Sequence, residues 1–337
     1  MPRVKLALEA LAFLLLVAVV IVLPQVVSDF HARELAIVGM YFIALIGLNV
    51  LTGYSGQISL GHGAFMAIGG YTTAILISDH GMRDIWTIPV AGVVAGVAGL
   101  LVGLPALRLS GMYLALVTFG IAVAFPQVPK KYEHFMGGSS GKSTGLYKVE
   151  LGFHTTPNRW LYYLTWAVAL FLLAAAWALL RGKPGRTLQA LRDSEVAALS
   201  SGVNVAVYKT AAFGISAFYA GVAGSLFAIS SFLVTPETFA ILLSVYLVVG
   251  LAAGGLGSLS GAIGGAALVF YLQNHADAVA RWANHLPWLS VDPKQQGISS
   301  VVFGAVLIVI MLLLPTGAGG LLQRLLRPLT TRLYTRS

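Results

Sequence analysis

Long apolar runs separated by short polar connections dominate the chain. A run of about 20 apolar residues, rising 1.5 Å per residue as a helix, crosses roughly 30 Å of hydrocarbon. Ten such runs occur, at 6–27, 35–52, 60–78, 86–107, 110–128, 160–180, 207–231, 238–254, 258–274 and 298–315. They predict an all-α polytopic membrane protein of about ten transmembrane helices, forming a single membrane domain over 1–337. Two connections stand out: a long loop at 129–159 and a charged island at 181–202, RGKPGRTLQALRDSEVAALSSG. Arg181, Lys183, Arg186, Arg192, Asp193 and Glu195 keep the island out of hydrocarbon, where charge is costly. Pro184 and Gly185 are placed to break the preceding helix, Asp193 to cap a second one, and Gly202 to end it in a left-handed conformation. The pattern predicts two short surface helices, at about 186–192 and 194–201.

One apolar region is interrupted. The stretch 47–71, GLNVLTGYSGQISLGHGAFMAIGGY, sets Asn49, Thr52, Ser55, Gln57, Ser59 and His62 among glycines. Polar side chains and irregular backbone persist at membrane depth only when buried in protein or lining a wet cavity. The stretch is therefore either a short loop between spans with its polar groups satisfied, or a broken helix lining a solute pathway. His62 beside it is either a hydrogen-bonded interior histidine or a proton carrier. The run 238–274 is too long for one span and tight for two, which predicts a break near 254–258. Gly92, Gly96, Gly99 and Gly103 recur at spacings of four, three and four, and Gly254, Gly257, Gly261 and Gly265 at three, four and four. Such spacing lines one helix face with small residues and predicts close helix packing.

Composition agrees: 58% of the 337 residues are hydrophobic and 10% charged, too few polar groups to cover a soluble protein of this size. The net charge of +9 fits the positive-inside bias better than nucleic-acid binding. With the N-terminus inside, the inner segments hold twelve basic and three acidic residues; the outer ones hold nine of each. This places 181–202 and both termini in the cytoplasm, and 129–159 outside. The first run lacks a small-residue cleavage site and follows Arg3 and Lys5, so it reads as an uncleaved span. The absence of cysteine excludes disulfides and thiolate chemistry.

Several strings imitate catalytic signatures. MGGSSGKST at 136–144 lacks the opening glycine and preceding strand of a phosphate loop, and GGSSG at 137–141 lacks the strand-to-helix turn of a nucleophile elbow. Tyr54-Ser55-Gly56-Gln57 imitates an ATPase signature without a nucleotide domain around it. His275, Asp277 and His285 read as loop residues rather than metal ligands. No set of residues supports catalysis, so the chain is not read as an enzyme.

Together these stretches resemble the permease subunits of branched-chain amino-acid ABC importers, LivM type. The resemblance runs from about residue 38 to 320. It is dense in the 47–71 stretch, in GMYLALVTFGIA at 111–122, and in GRTLQALRDSEVAALSSGVNVAVYKTAAFGISAFYAGVAGSLFA at 185–228. GGLGSLSGAIGGA at 254–266 and LIVIMLLLPTG at 307–317 complete it. The resemblance implies a type II-like permease in a bacterial inner membrane. Its partners would be a second homologous permease, two cytoplasmic ATPases that hold ATP and Mg, and a periplasmic binding protein. The chain itself would carry no cofactor. The resemblance makes 181–202 the coupling loop, with Arg186 and Arg192 facing an ATPase and Asp193 and Glu195 opening the docking helix. Asn49, Gln57, Ser59 and Thr118 become polar groups of the substrate pathway, with His62 beside them. The GKST within 139–148 departs from the family's shorter glycine-rich turn and bears on how a binding protein would dock. Relatives with this pattern import urea, short amides or other amino acids. A reading from another class is a self-sufficient channel or proton-driven carrier using His62 and Gln57; it leaves 181–202 unexplained.

Overall fold

The computed structural model describes residues 2–107, 109, 111–145 and 155–283, and the expected span at 298–315 lies outside them. The chain folds as α1 (Pro2–Val26), α2 (Asp29–Leu48) continuing into a π-helical turn (Asn49–Tyr54), α3 (His62–His80), α4 (Asp84–Ala106) and α5 (Met112–Ala124). Short helices α6 (Gln127–Lys131) and α7 (Glu133–Met136) and strand β1 (Lys142–Ser143) follow. Then come α8 (Pro157–Arg181), α9 (Lys183–Asp193), α10 (Glu195–Ser200), α11 (Val205–Ser231), strand β2 (Leu233–Val234), α12 (Ile241–Gly254) and α13 (Gly261–Ala283). Among the described residues, six helical stretches are long and apolar enough to cross a membrane: Asp29–Tyr54, Asp84–Pro105, Met112–Lys131, Pro157–Arg181, Val205–Ser231 and Pro236–Gly254.

Helices α2 and α11 form the centre, each with 83% of its most apolar stretch buried, against 22% for the Met112–Lys131 stretch at the periphery. Helix α11 packs on α4, α3 and α2, while α2 also packs on α8 and α13. The expected glycine stripe is what lets α4 approach α11. A Cβ on Gly92 would lie 2.8 Å from Phe218, and one on Gly99 would collide with Ala217. Gly69 and Gly224 similarly admit backbone from the facing helix: a methyl on Gly69 would strike the Gly221 carbonyl, and one on Gly224 the Met66 carbonyl. In a bilayer, where apolar burial does not drive helices together, such approach is the main source of attraction.

Contacts between distant residues show that successive helices alternate in direction. At one end, Arg33 donates to the Ser230 carbonyl, Asn158 to Asp29, and Lys142 pairs with Asp79 at 2.7 Å. Strand β1 pairs antiparallel with β2 at this end, through Lys142 opposite Val234 and Ser143 opposite Leu233. The other end gathers the π turn, α9, α10, the start of α11 and the α12–α13 turn.

The island at 181–202 forms two surface helices, with different punctuation from that expected. Helix α8 stops at Arg181 because Gly182 adopts an extended conformation, and Pro184 sits in the first turn of α9, where a missing amide costs nothing. The cap of α10 is Ser194, whose Oγ accepts from the Ala197 amide at 3.2 Å, rather than Asp193. Ser194 has the extended backbone that aims a side chain at the first-turn amides, while Asp193 is still helical. Gly202 takes φ +81°, the expected left-handed stop. The expected break at 254–258 is also present: α12 ends at Gly254 and α13 begins at Gly261.

Candidate functional site

The polar stretch is where the helical pattern fails. Helix α2 widens into the π turn over Asn49–Tyr54, residues 55–61 are irregular, and α3 starts at His62. The break joins two helices of opposite direction at the end of the bundle that carries α9. Gly56 turns the chain with φ +72° against the side chain of Arg192, where a Cβ would lie 2.7 Å from Cγ.

Each expected pathway residue is buried and occupied with backbone. Asn49 is fully buried; its Nδ2 donates to the Ser258 carbonyl at 3.0 Å and its Oδ1 accepts from the Gly257 amide at 2.8 Å. It thereby clamps the α12–α13 turn to the π turn. Gln57 donates to Ser55 Oγ at 2.9 Å and to the Lys209 carbonyl at 3.4 Å. Ser59 Oγ accepts from the Gly61 amide at 3.3 Å. Thr118 Oγ1 on α5 accepts from the Leu60 amide at 2.9 Å and donates to the Ala115 carbonyl. His62 Nε2 lies 2.9 Å from the Ala44 carbonyl, so it carries the proton of that bond; Nδ1 has no partner.

Gln57, Ser59, Thr118 and His62 lie in or against 55–61, whereas Asn49 faces the α12–α13 turn; sequence reasoning missed two further residues. Ser244 accepts from the Gly63 amide at 2.9 Å, tying α3 to α12, and Ser258 supplies the carbonyl held by Asn49. A lone serine within the apolar run ILLSVYLVV is the signal that could have found Ser244.

The four residues expected on the coupling surface divide by direction. Arg186, Arg192 and Asp193 are exposed, yet Arg192 also reaches back into the bundle. Arg192 sends Nη1 inward to the Gly53 carbonyl at 2.6 Å, with Nε 3.6 Å from Asp193. Glu195 accepts from Lys209 Nζ at 2.6 Å; the lysine side chain is 10% exposed and the glutamate 42%. Beyond these anchors α10 turns Val196 and Leu199 outward, 74% and 55% exposed, beside a cleft of about 510 Å³ lined by Leu107, Leu199, Val203, Asn204 and Ala206.

Among the described residues, no three histidine, aspartate or glutamate side chains gather as metal ligands. His285 lies outside the described residues, and His275 and Asp277 are described only in backbone.

An alternating bundle of apolar helices with a polar break and a surface elbow at one end is the architecture of a polytopic membrane protein. The family described as "Branched-chain amino acid transport system / permease component" matches residues 32–311, and this chain belongs to it. Among curated relatives, the high-affinity branched-chain amino acid transport system permease protein LivM of Salmonella typhimurium strain LT2 is 34% identical over 274 residues, covering 74% of this chain. LivM of Escherichia coli strain K12 is 33% identical over 274 residues, again 74% of this chain. The match spans 64% of the length of each relative. No solved structure matches the chain.

Proposed function

We propose that this chain is the transmembrane permease subunit of an ATP-driven importer, forming part of the pathway for branched-chain or related amino acids. The observation that carries the reading is the α9–α10 elbow, held rigidly to the bundle through Arg192 and Glu195 and presenting Val196 and Leu199 outward, in a chain of this family. The elbow is a lever for a motor on another chain. Two cytoplasmic ATPases would seat on it and hold ATP and Mg, while this chain holds no cofactor and catalyses no reaction. A second, homologous permease completes the pathway, and a periplasmic binding protein delivers the solute.

In this reading the whole chain is one membrane domain in the bacterial inner membrane, with both termini and 181–202 in the cytoplasm. The end bearing β1, β2 and the described part of 129–159 faces the periplasm. Arg186 and Asp193 meet the ATPase directly, and Glu195 opens the helix that docks. Asn49, Gln57, Ser59, His62 and Thr118 hold the shape of the polar break bordering the pathway. The backbone groups they fix, with the start of α3 nearby, suit a zwitterion whose carboxylate needs amide donors.

The test is reconstitution of the chain with its neighbouring subunits in liposomes, followed by ATP-dependent uptake of leucine, with urea and acetamide as alternative solutes. Uptake that requires ATP and all subunits supports the reading. Solute flux through this chain alone, indifferent to ATP, refutes it in favour of a channel.

A further inference from the structure

Three pieces of backbone that are far apart in sequence meet at Arg192. The first is α9, which carries it. The second is the π turn closing α2, whose Gly53 carbonyl accepts Arg192 Nη1 at 2.6 Å. The third is the α12–α13 turn: a Cβ on Gly257 would lie 3.6 Å from Nη1 and 3.7 Å from the Gly53 oxygen. Asn49, four residues before Gly53, binds that same turn through Gly257 and Ser258. The stem of Arg192 packs on Gly56, the residue that reverses the chain toward α3.

The chemistry explains why arginine serves here. Carbonyls at the end of a helical segment lack intrahelical partners and carry partial negative charge. A guanidinium stays charged at any physiological pH and bonds such a carbonyl more strongly than a neutral donor does. Glycines at 53, 56 and 257 bring three backbones within reach of one side chain. Gly53 leaves only 2.6 Å between a would-be Cβ and the Gly257 amide nitrogen, so no side chain can stand between the turns.

We propose that Arg192 is a transmission pin: it ties surface helix α9 to the π turn of α2 and, through Asn49, to the α12–α13 turn, so that displacement of α9 moves both. This rests on the importer reading and deepens it, because it gives Arg192, whose side chain is 46% exposed on the elbow, a positioning role inside the permease through its inward Nη1. The pin sits at the junction where α2, α3, α12 and α13 change direction, so a shift of the elbow arrives at the polar break without crossing the packed α2–α11 core.

The test compares wild type with Arg192→Ala, Arg192→Lys and Gly56→Ala in the fully assembled transporter. Gly56→Ala keeps the charge but drives a methyl into the arginine stem. With Arg192→Ala we expect the ATPases to copurify and hydrolyse ATP as in wild type. Uptake should fall about tenfold or more, the scale of one lost charge-assisted hydrogen bond. Gly56→Ala should uncouple similarly, and Arg192→Lys should recover part of the uptake. Hydrogen exchange on the permease alone, in nanodiscs, should rise together in 53–61 and 255–258 for Arg192→Ala. Unchanged uptake overturns the proposal. So does loss of ATPase assembly with exchange unchanged in those two segments, which would place Arg192 on the docking surface. If wild type itself shows no ATP-driven uptake, the importer reading fails, and the exchange measurement still decides the pin: no change in either segment refutes it.

Discussion

Replacing Asn49 by alanine removes the clamp between the π turn and the α12–α13 turn and nothing else polar. Two hydrogen bonds are lost, from the Gly257 amide and to the Ser258 carbonyl, while Asn49 itself is fully buried. A buried group left without its partner costs about 1–3 kcal/mol. The turn is half-exposed, so water repays part of this, and about 2–3 kcal/mol in total is the expected loss for Asn49→Ala. Asn49→Asp is the sharper variant. It is isosteric and can still accept from Gly257, but it sets a carboxylate oxygen against the Ser258 carbonyl and buries a charge. At neutral pH it should be at least as damaging as alanine. The free energies come from unfolding the purified chain with sodium dodecyl sulfate in mixed micelles, and exchange of the Gly257 amide reports the bond directly. A loss below about 0.5 kcal/mol, within the range of an ordinary surface change, would refute the clamp. So would an unaltered Gly257 amide, or an aspartate milder than alanine.

Other outcomes follow from the same geometry. A double-mutant cycle on Glu195→Ala and Lys209→Ala should give a coupling of about 1–2 kcal/mol, below the fully buried case because Glu195 is partly hydrated; additive effects would remove the pair as an anchor for α10. Gly69→Ala should destabilise the chain by about 1–3 kcal/mol, since its methyl meets the Gly221 carbonyl; Gly120→Ala on α5, with open space around it, should stay within about 0.5 kcal/mol in the same micelle assay. Equal effects at the two glycines would show that close approach to α11 does not explain the glycine at 69. At the β1 end, the hydrogen bond from Lys142, helped by Ser78, holds the Asp79 carboxyl below its ordinary value. The contribution of that pair is present above the ordinary carboxylate range and is lost as pH falls through the lowered value. Stability curves of wild type and Asp79→Asn should therefore converge only in strong acid; a constant gap at all pH would contradict the pairing.

The helices were legible because each apolar run is long and its ends are marked by charge, glycine or proline. The break at 47–71 was legible for the opposite reason: Asn49, Gln57 and His62 are expensive in hydrocarbon unless something satisfies them. What satisfies them was not legible. Asn49 binds residues more than 200 positions away, and Thr118 reaches Leu60 across two helices. Periodicity fixes which face a residue occupies but not which distant backbone it will meet. The same limit hid the inward turn of Arg192 and the Glu195–Lys209 pair, since a charge in a surface segment reads as solvated until its neighbours are known. The β1–β2 ladder, two residues to a strand, is too short to leave any alternation in the sequence. Ser194 and Asp193 are both good caps side by side, and only the backbone angle at Ser194 chose between them.

The uneven burial of the helices divides the molecule into a frame and a slat. Moving α11 would tear it from the glycine-lined faces of α3 and α4, whereas among the described residues α5 is met along one narrow side, through Leu114, Thr118 and Ala122. Tilting α5 sacrifices little cohesion, and its polar tether is the Thr118 hydroxyl, which grips the irregular segment beside Leu60. Among the described residues, then, the irregular segment is bonded directly to the stave that the trunk holds least.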